Sequence, residues 1–165
     1  MEDLVFNIIQ ALKDFFNPQM VIFIISLIPI LELRGGLIAA SILGIDWRLA
    51  MIICIIGNLI PVPFIIMFVK KIFEYLKNTK LSVITTKLEK KANKSSEKVF
   101  KYEKWGLYFF VAIPFPGTGA WTGALVAALC GMKFKNAILS IFLGIITAAV
   151  IMALFSYGVI RPLIS

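Results

Sequence analysis

Ile28-Pro29-Ile30-Leu31-Glu32-Leu33-Arg34-Gly35-Gly36 and Ile113-Pro114-Phe115-Pro116-Gly117-Thr118-Gly119 are the two stretches on which the fold turns. Each interrupts an apolar run of membrane length, and each is followed by further apolar residues, to Gly44 and to Gly131. Set 87 positions apart, the two regions align. Pro29 then falls on Pro116, Gly36 on Gly123, Ala40 on Ala127, Gly44 on Gly131, Ala50 on Ala137 and Gly57 on Gly144. The aromatic–basic pair Trp47-Arg48 falls on Phe134-Lys135. Alanine matches come cheaply in such a sequence. Proline and glycine matches do not, because these residues dictate backbone geometry. A duplicated, broken apolar segment is the pattern of transporters built from internal repeats.

Composition points to a membrane. Of 165 residues, 60% are hydrophobic and 16% charged, with a mean hydropathy of +0.94. A soluble domain carries about 45–50% apolar and about 25% charged residues. One membrane domain over 1–165 is expected, with boundaries at 1–17, 18–69, 70–105 and 106–160. The acidic opening, Glu2-Asp3, and the lack of a small-residue cleavage site argue against a secretory signal peptide. Instead, Leu4, Val5, Ile8, Ile9, Leu12 and Phe15 or Phe16 predict an amphipathic interfacial helix ending at Asn17-Pro18.

The chain has no histidine, and its two cysteines, Cys54 and Cys130, lie in separate apolar runs. Zinc, haem and iron–sulfur sites are not expected, and both cysteines read as small buried hydrophobes. No phosphate-binding glycine loop or hydrolase elbow is present. Neither a cofactor nor enzymatic activity is expected.

Four apolar stretches can be drawn, at 18–43, 47–69, 106–130 and 134–160, each meeting the roughly 20 residues a spanning helix needs. Between the second and third, residues 70–104 hold eleven of the 17 basic residues against four acids, a net +7. This connector is expected in the cytoplasm. Leu81, Ile84, Leu88, Val99 and Tyr102 predict amphipathic helices resting on anionic headgroups, unless the segment is merely a solvated linker that sets orientation. Nucleic-acid binding is not expected, since the aromatics lie in the apolar runs rather than among the lysines.

Two topologies fit. Four full spans would give repeats of one orientation. Alternatively, each broken segment turns back at its Pro-Gly break as a re-entrant hairpin, leaving one crossing per repeat and inverting the two halves. The expected fold is the second: an all-α membrane protein built as an inverted repeat of a re-entrant hairpin plus a transmembrane helix. Hairpin tips cannot present free N–H and C=O groups to lipid, so they must meet protein or water.

Glu32 and Arg34 are the one charged pair deep in an apolar run, and ionisable residues there default to a functional reading. Arg34 offers a planar fork to a phosphate or carboxylate, with Glu32 as its proton-accepting partner. The competing reading is a mutually neutralising pair that pins the tip. Gly35-Gly36 and Gly117-Thr118-Gly119 precede helical runs, so both tips are expected to aim helix N-termini at mid-membrane, where anions are favoured. Close helix packing explains the same glycines equally well. Pro116, Thr118, Trp121 and Thr122 complete the second tip. Asn58, inside Gly57-Asn58-Leu59-Ile60-Pro61-Val62-Pro63, sits where two prolines should kink a spanning helix.

Glu32-Leu33-Arg34-Gly35-Gly36 and the run from Pro114 to Leu125 resemble the signature segments of the small multidrug export protein family. That family is similar in turn to the DedA superfamily, whose fold uses paired re-entrant hairpins in inverted repeats and some of whose members flip polyprenyl phosphate or other lipids. The resemblance implies a multi-pass exporter of the inner or plasma membrane. Glu32 and Arg34 are the residues that can inherit the charged role.

The reading that follows is a transporter with its site between two tips, proton-linked through Glu32 and leaning towards an anionic head such as a lipid phosphate. Its alternatives are a four-span exporter of lipophilic cationic drugs and a non-transporting protein that organises the bilayer. Membrane lipids, a small-molecule or lipid substrate and a second copy in a homodimer are the expected partners.

Overall fold

The computed structural model describes residues 2–77, 97–115 and 117–160. Among these every regular element is helical. In order they are α1 (Glu2–Leu12), α2 (Pro18–Leu27), α3 (Glu32–Ile42), α4 (Trp47–Leu59), α5 (Pro61–Lys77), α6 (Glu97–Ala112), α7 (Ala120–Leu129), α8 (Phe134–Phe155) and a π turn at Ser156–Ile160.

Neither broken segment is one helix. The first divides into α2 and α3 around Ile28–Leu31, and the second into α6 and α7 around Ile113–Gly119. At 1.5 Å per residue, α2 and α7 are each about 15 Å long, half the roughly 30 Å of a hydrocarbon core. The helices flanking each break fold back on one another. A Cβ at Gly35 would meet Ile25, and one at Gly36 would meet Ile22, Ser26 and Cys54, which puts the start of α3 against the end of α2. Gly123 is likewise set against Val111 and Leu107.

Among the described residues two helices are long and apolar enough to cross a membrane: Trp47–Ile72, which runs through the interruption at Ile60, and Phe134–Gly158. They are 28% and 44% buried over their most apolar windows, too little for the core helix of a soluble protein. Phe64, Phe68 and Leu154 are among the large apolar side chains left exposed on them. Such a surface is stable against lipid tails.

The two long helices run antiparallel. Trp47 and Met51 line one cleft with Val150, Leu154 and Tyr157, whereas Ile56, Ile60 and Phe64 line another with Phe134 and Ile138.

The duplication is visible bond by bond. At the end of α3, Leu43, Gly44 and Ile45 donate to Ala39, Ser41 and Ala40; at the end of α7, Cys130, Gly131 and Met132 donate to Val126, Ala128 and Ala127. Both elbows turn on a glycine in the left-handed region, Gly44 at φ 70° and Gly131 at φ 69°, a conformation only glycine adopts without strain. Gly57 packs against Ser26 and Phe23, and Gly144 against Val111 and Tyr108. These last contacts are 85 apart on the hairpin side and 87 apart on the glycine side. The second tip is therefore two residues longer than the first.

The N-terminal helix differs from expectation. Val5 and Ile9 are buried against α2 and α3, but α1 ends at Leu12 and Phe15 is 80% exposed. Turns at 13–15 follow α1, and Asn17, which precedes proline, takes extended backbone (φ −67°, ψ 157°). The Asn17 side chain then caps α2 by accepting from Met20 N–H at 2.8 Å. Cys54 is buried as expected, whereas Cys130 is exposed at the end of α7. The predicted amphipathic stretch at Leu81, Ile84 and Leu88 lies outside the described residues, and Val99 and Tyr102 fall on helical backbone in α6.

Candidate functional site

Glu32 opens α3 at φ 50°, the one non-glycine left-handed residue among those described. For a residue with a Cβ that conformation costs on the order of 1–3 kcal/mol, so the surroundings must hold it. They do. The Glu32 carboxylate reaches the start of α7, where it accepts from Trp121 N–H at 3.1 Å and from Ala120 N–H at 3.3 Å. Gly119, at φ 146°, lies so close beneath that carboxylate that any Cβ would collide with it. Gly119 is also the position 87 beyond Glu32.

Arg34 serves the same tip from the other side. Its guanidinium donates to the carbonyls of Phe115, Thr118 (2.7 Å) and, more weakly, Ile113 (3.4 Å), and to Thr118 Oγ1 at 3.0 Å. The Thr118 hydroxyl lies within 2.8 Å of the Ile113 and Phe115 carbonyls too. Glu32 and Arg34 are 6% and 9% exposed, and they form no direct ion pair among the described residues. Both reach across from the first break to the second. Arginine supplies donors to the turn's carbonyls, and glutamate supplies an acceptor to the helix's first N–H groups.

This geometry alters the sequence expectation. The N-terminus of α7, read as an open anion site, is occupied by the chain's own carboxylate. The two side chains sit in the first turn of α3 rather than on an extended turn, and what they pin is the opposite tip. Gly35 and Gly36 are helical and serve close packing on α2. Gly117 has φ 86° with open space around it, so its need is conformational alone. Thr122 hydrogen-bonds to Gly119 O at 3.4 Å, within its own helical turn. Trp121 Nε1 and Asn58 Oδ1 are buried without partners, and Asn58 is 3% exposed. Asn58 follows Gly57, which packs on Ser26 near the end of α2, so it stands level with the first tip. Pro116 lies outside the described residues.

Two bridging residues escaped the sequence reading. Lys70 Nζ donates to Met132 O at 2.9 Å, and Tyr157 OH donates to Ile45 O at 2.7 Å. Donors and acceptors are each 87 apart, so the long helix of either half ties the elbow of the other. A search for identities passes over a lysine matched to a tyrosine. Asking what each offset pair could donate would have found them.

A family model described as "Putative small multi-drug export protein" matches residues 32–151, from the charged tip through most of α8. The chain belongs to that family. Neither the curated proteins nor the solved structures contain a significant match. The multi-drug export model begins at Glu32, directly after the first tip, and spans the second tip and both elbows. Its name is consistent with the two long lipid-suited helices, and the chain is a membrane protein of an export family.

Proposed function

We propose that this protein is a transporter of the cell's inner or plasma membrane, made of two re-entrant hairpins in inverted repeat, with its substrate handled where the tips meet. Inversion is supported by the antiparallel long helices and the reciprocal Lys70–Met132 and Tyr157–Ile45 bonds. Re-entrance is supported by half-length helices that fold back at each break.

The observation that carries the transport reading is the placement of Glu32 and Arg34. A buried acid and base clasp exchangeable backbone groups across the junction of the halves. In this reading Glu32 stands in for the anionic head of a substrate. Protonation removes its charge and weakens its hold on the Ala120 and Trp121 N–H groups. An incoming phosphate or carboxylate then takes those donors and draws Arg34 from the tip carbonyls. One proton on Glu32 offsets one negative charge brought in, which makes the cycle proton-linked.

The first tip completes the picture. Pro29 and Ile30 are exposed, and Ile30 has no backbone hydrogen bond. At membrane depth such backbone must be met by protein or water. We assign protein, in the form of a second copy, so the working unit is a homodimer. Disulfide cross-linking through Ile30→Cys checks this; a monomer throughout would return the role to water.

Transport is tested in proteoliposomes. An anionic-head lipid should move down an imposed proton gradient, with Glu32→Gln uncoupling movement from protons. If lipophilic cations move and anionic lipids do not, the drug-export alternative replaces this reading. If Glu32→Gln and Arg34→Lys are silent while neutralising the connector lysines abolishes activity, the protein organises the bilayer instead.

A further inference from the structure

A groove of about 440 Å³ runs between α6 and α8, well away from the tip junction. Its walls include Tyr108, Leu139, Leu143 and Ile146, with Lys104 and Trp105 at one end. Leu139, Leu143 and Trp105 are exposed, so the groove opens outward where the long helix presents its apolar face. Trp105 and Tyr108 stand edge to face at 5.8 Å, and Tyr108 OH is anchored to Thr147 Oγ1 at 3.0 Å. That bond leaves the tyrosine ring as a fixed apolar wall.

Chemistry changes along this groove. One end holds an exposed ammonium beside an indole, a pairing typical of the headgroup level of a bilayer. The rest is hydrocarbon. Lys104 is also the last of the connector's lysines, which recur at 98, 101 and 104 along α6. A basic cluster directly before a membrane helix attracts anionic lipid, whereas a zwitterionic head gains little from it.

We propose that this groove is a binding site for one anionic phospholipid of the leaflet facing the lysine-rich connector, with its phosphate on Lys104 and an acyl chain along Tyr108, Leu139, Leu143 and Ile146. It requires only that the chain sit in a bilayer, and it is independent of transport through the tips. Charge complementarity selects the occupant. A second copy of this chain would bring its own lysine cluster to the same place.

Trp105 reports on the site. The full chain carrying Trp47→Phe is reconstituted in vesicles containing chain-brominated phosphatidylglycerol or, separately, chain-brominated phosphatidylcholine. Subtracting a Trp47→Phe/Trp105→Phe chain isolates the Trp105 signal. Brominated phosphatidylglycerol should associate about fivefold more strongly than the choline lipid, the factor one lysine contributes near an anionic surface. Lys104→Gln should erase the preference, and Lys135→Gln, at the start of α8, should leave it intact. Equal quenching by the two lipids overturns the proposal. So does an equal loss from both lysine variants, which would mean a diffuse basic surface rather than a site.

Discussion

The two tips stand in matching places of the 87-residue offset and are held differently. The second, Ile113–Gly119, is the longer by two residues, and its carbonyls and helix N–H groups are met by Arg34 and Glu32. The first, Ile28–Leu31, receives nothing in return. Trp121 occupies the position equivalent to Arg34, and its indole N–H is buried without an acceptor. Gly119 occupies the position equivalent to Glu32 and has no side chain to offer. Among the described residues, one tip is thus met by side chains from the other half, and the other tip by none. The two halves share their geometry, and the residues at two offset positions make one half the donor and the other the recipient.

The sharpest way to break that comparison is to delete the two equivalent side chains. Arg34→Met strips the Thr118 carbonyl of its donor, takes one donor each from the Ile113 and Phe115 carbonyls and leaves Glu32 a buried acid without a nearby cation, and it should cost about 3–5 kcal/mol. It should appear as a large fall in the yield and thermal midpoint of folded protein. Trp121→Phe removes a donor that has no acceptor, and about 1 kcal/mol or less is expected in the same assay. Equal losses would mean that the tips are functionally alike.

Next come the glycines of the second tip. Gly119→Ala drives a methyl into the Glu32 carboxylate and should destabilise by about 2–4 kcal/mol. Gly117→Ala meets open space and should cost only about 1 kcal/mol of backbone strain. If Glu32→Gly restores the Gly119→Ala chain in thermal unfolding, the collision is the cause.

The smallest effects belong to the elbow ties. Lys70→Met and Tyr157→Phe each remove one hydrogen bond to a carbonyl, worth about 0.5–1.5 kcal/mol to a neutral group and somewhat more to a charged one. Lysine should be the costlier loss. The reverse order would show that the ammonium is already solvated.

Much of this was legible before any coordinates. Proline and glycine carry their geometry with them, and Pro29, Gly44 and Gly57 stand where the first half breaks, turns and packs, with Gly131 and Gly144 repeating the last two. Glu32 and Arg34 declared themselves by being charged among hydrocarbons. What the letters could not convey was direction. A turn's carbonyls appear in no side chain, so nothing announced that Arg34 would reach those of Phe115 and Thr118. The two-residue difference between tips was hidden because Pro114 and Pro116 both offer a match for Pro29, and only packing at Val111 decides the register. Helix α1 ends at Leu12, and Pro18 holds Asn17 extended where the sequence placed the break before the next helix.

The paired elbow ties carry a mechanical consequence. They lie at opposite ends of the antiparallel long helices, with the clasped tip between them. Tilting one half against the other about that fulcrum must stretch one tie as it slackens its twin. A body strung in this way is balanced like a seesaw, with an ammonium on one arm and a phenol on the other.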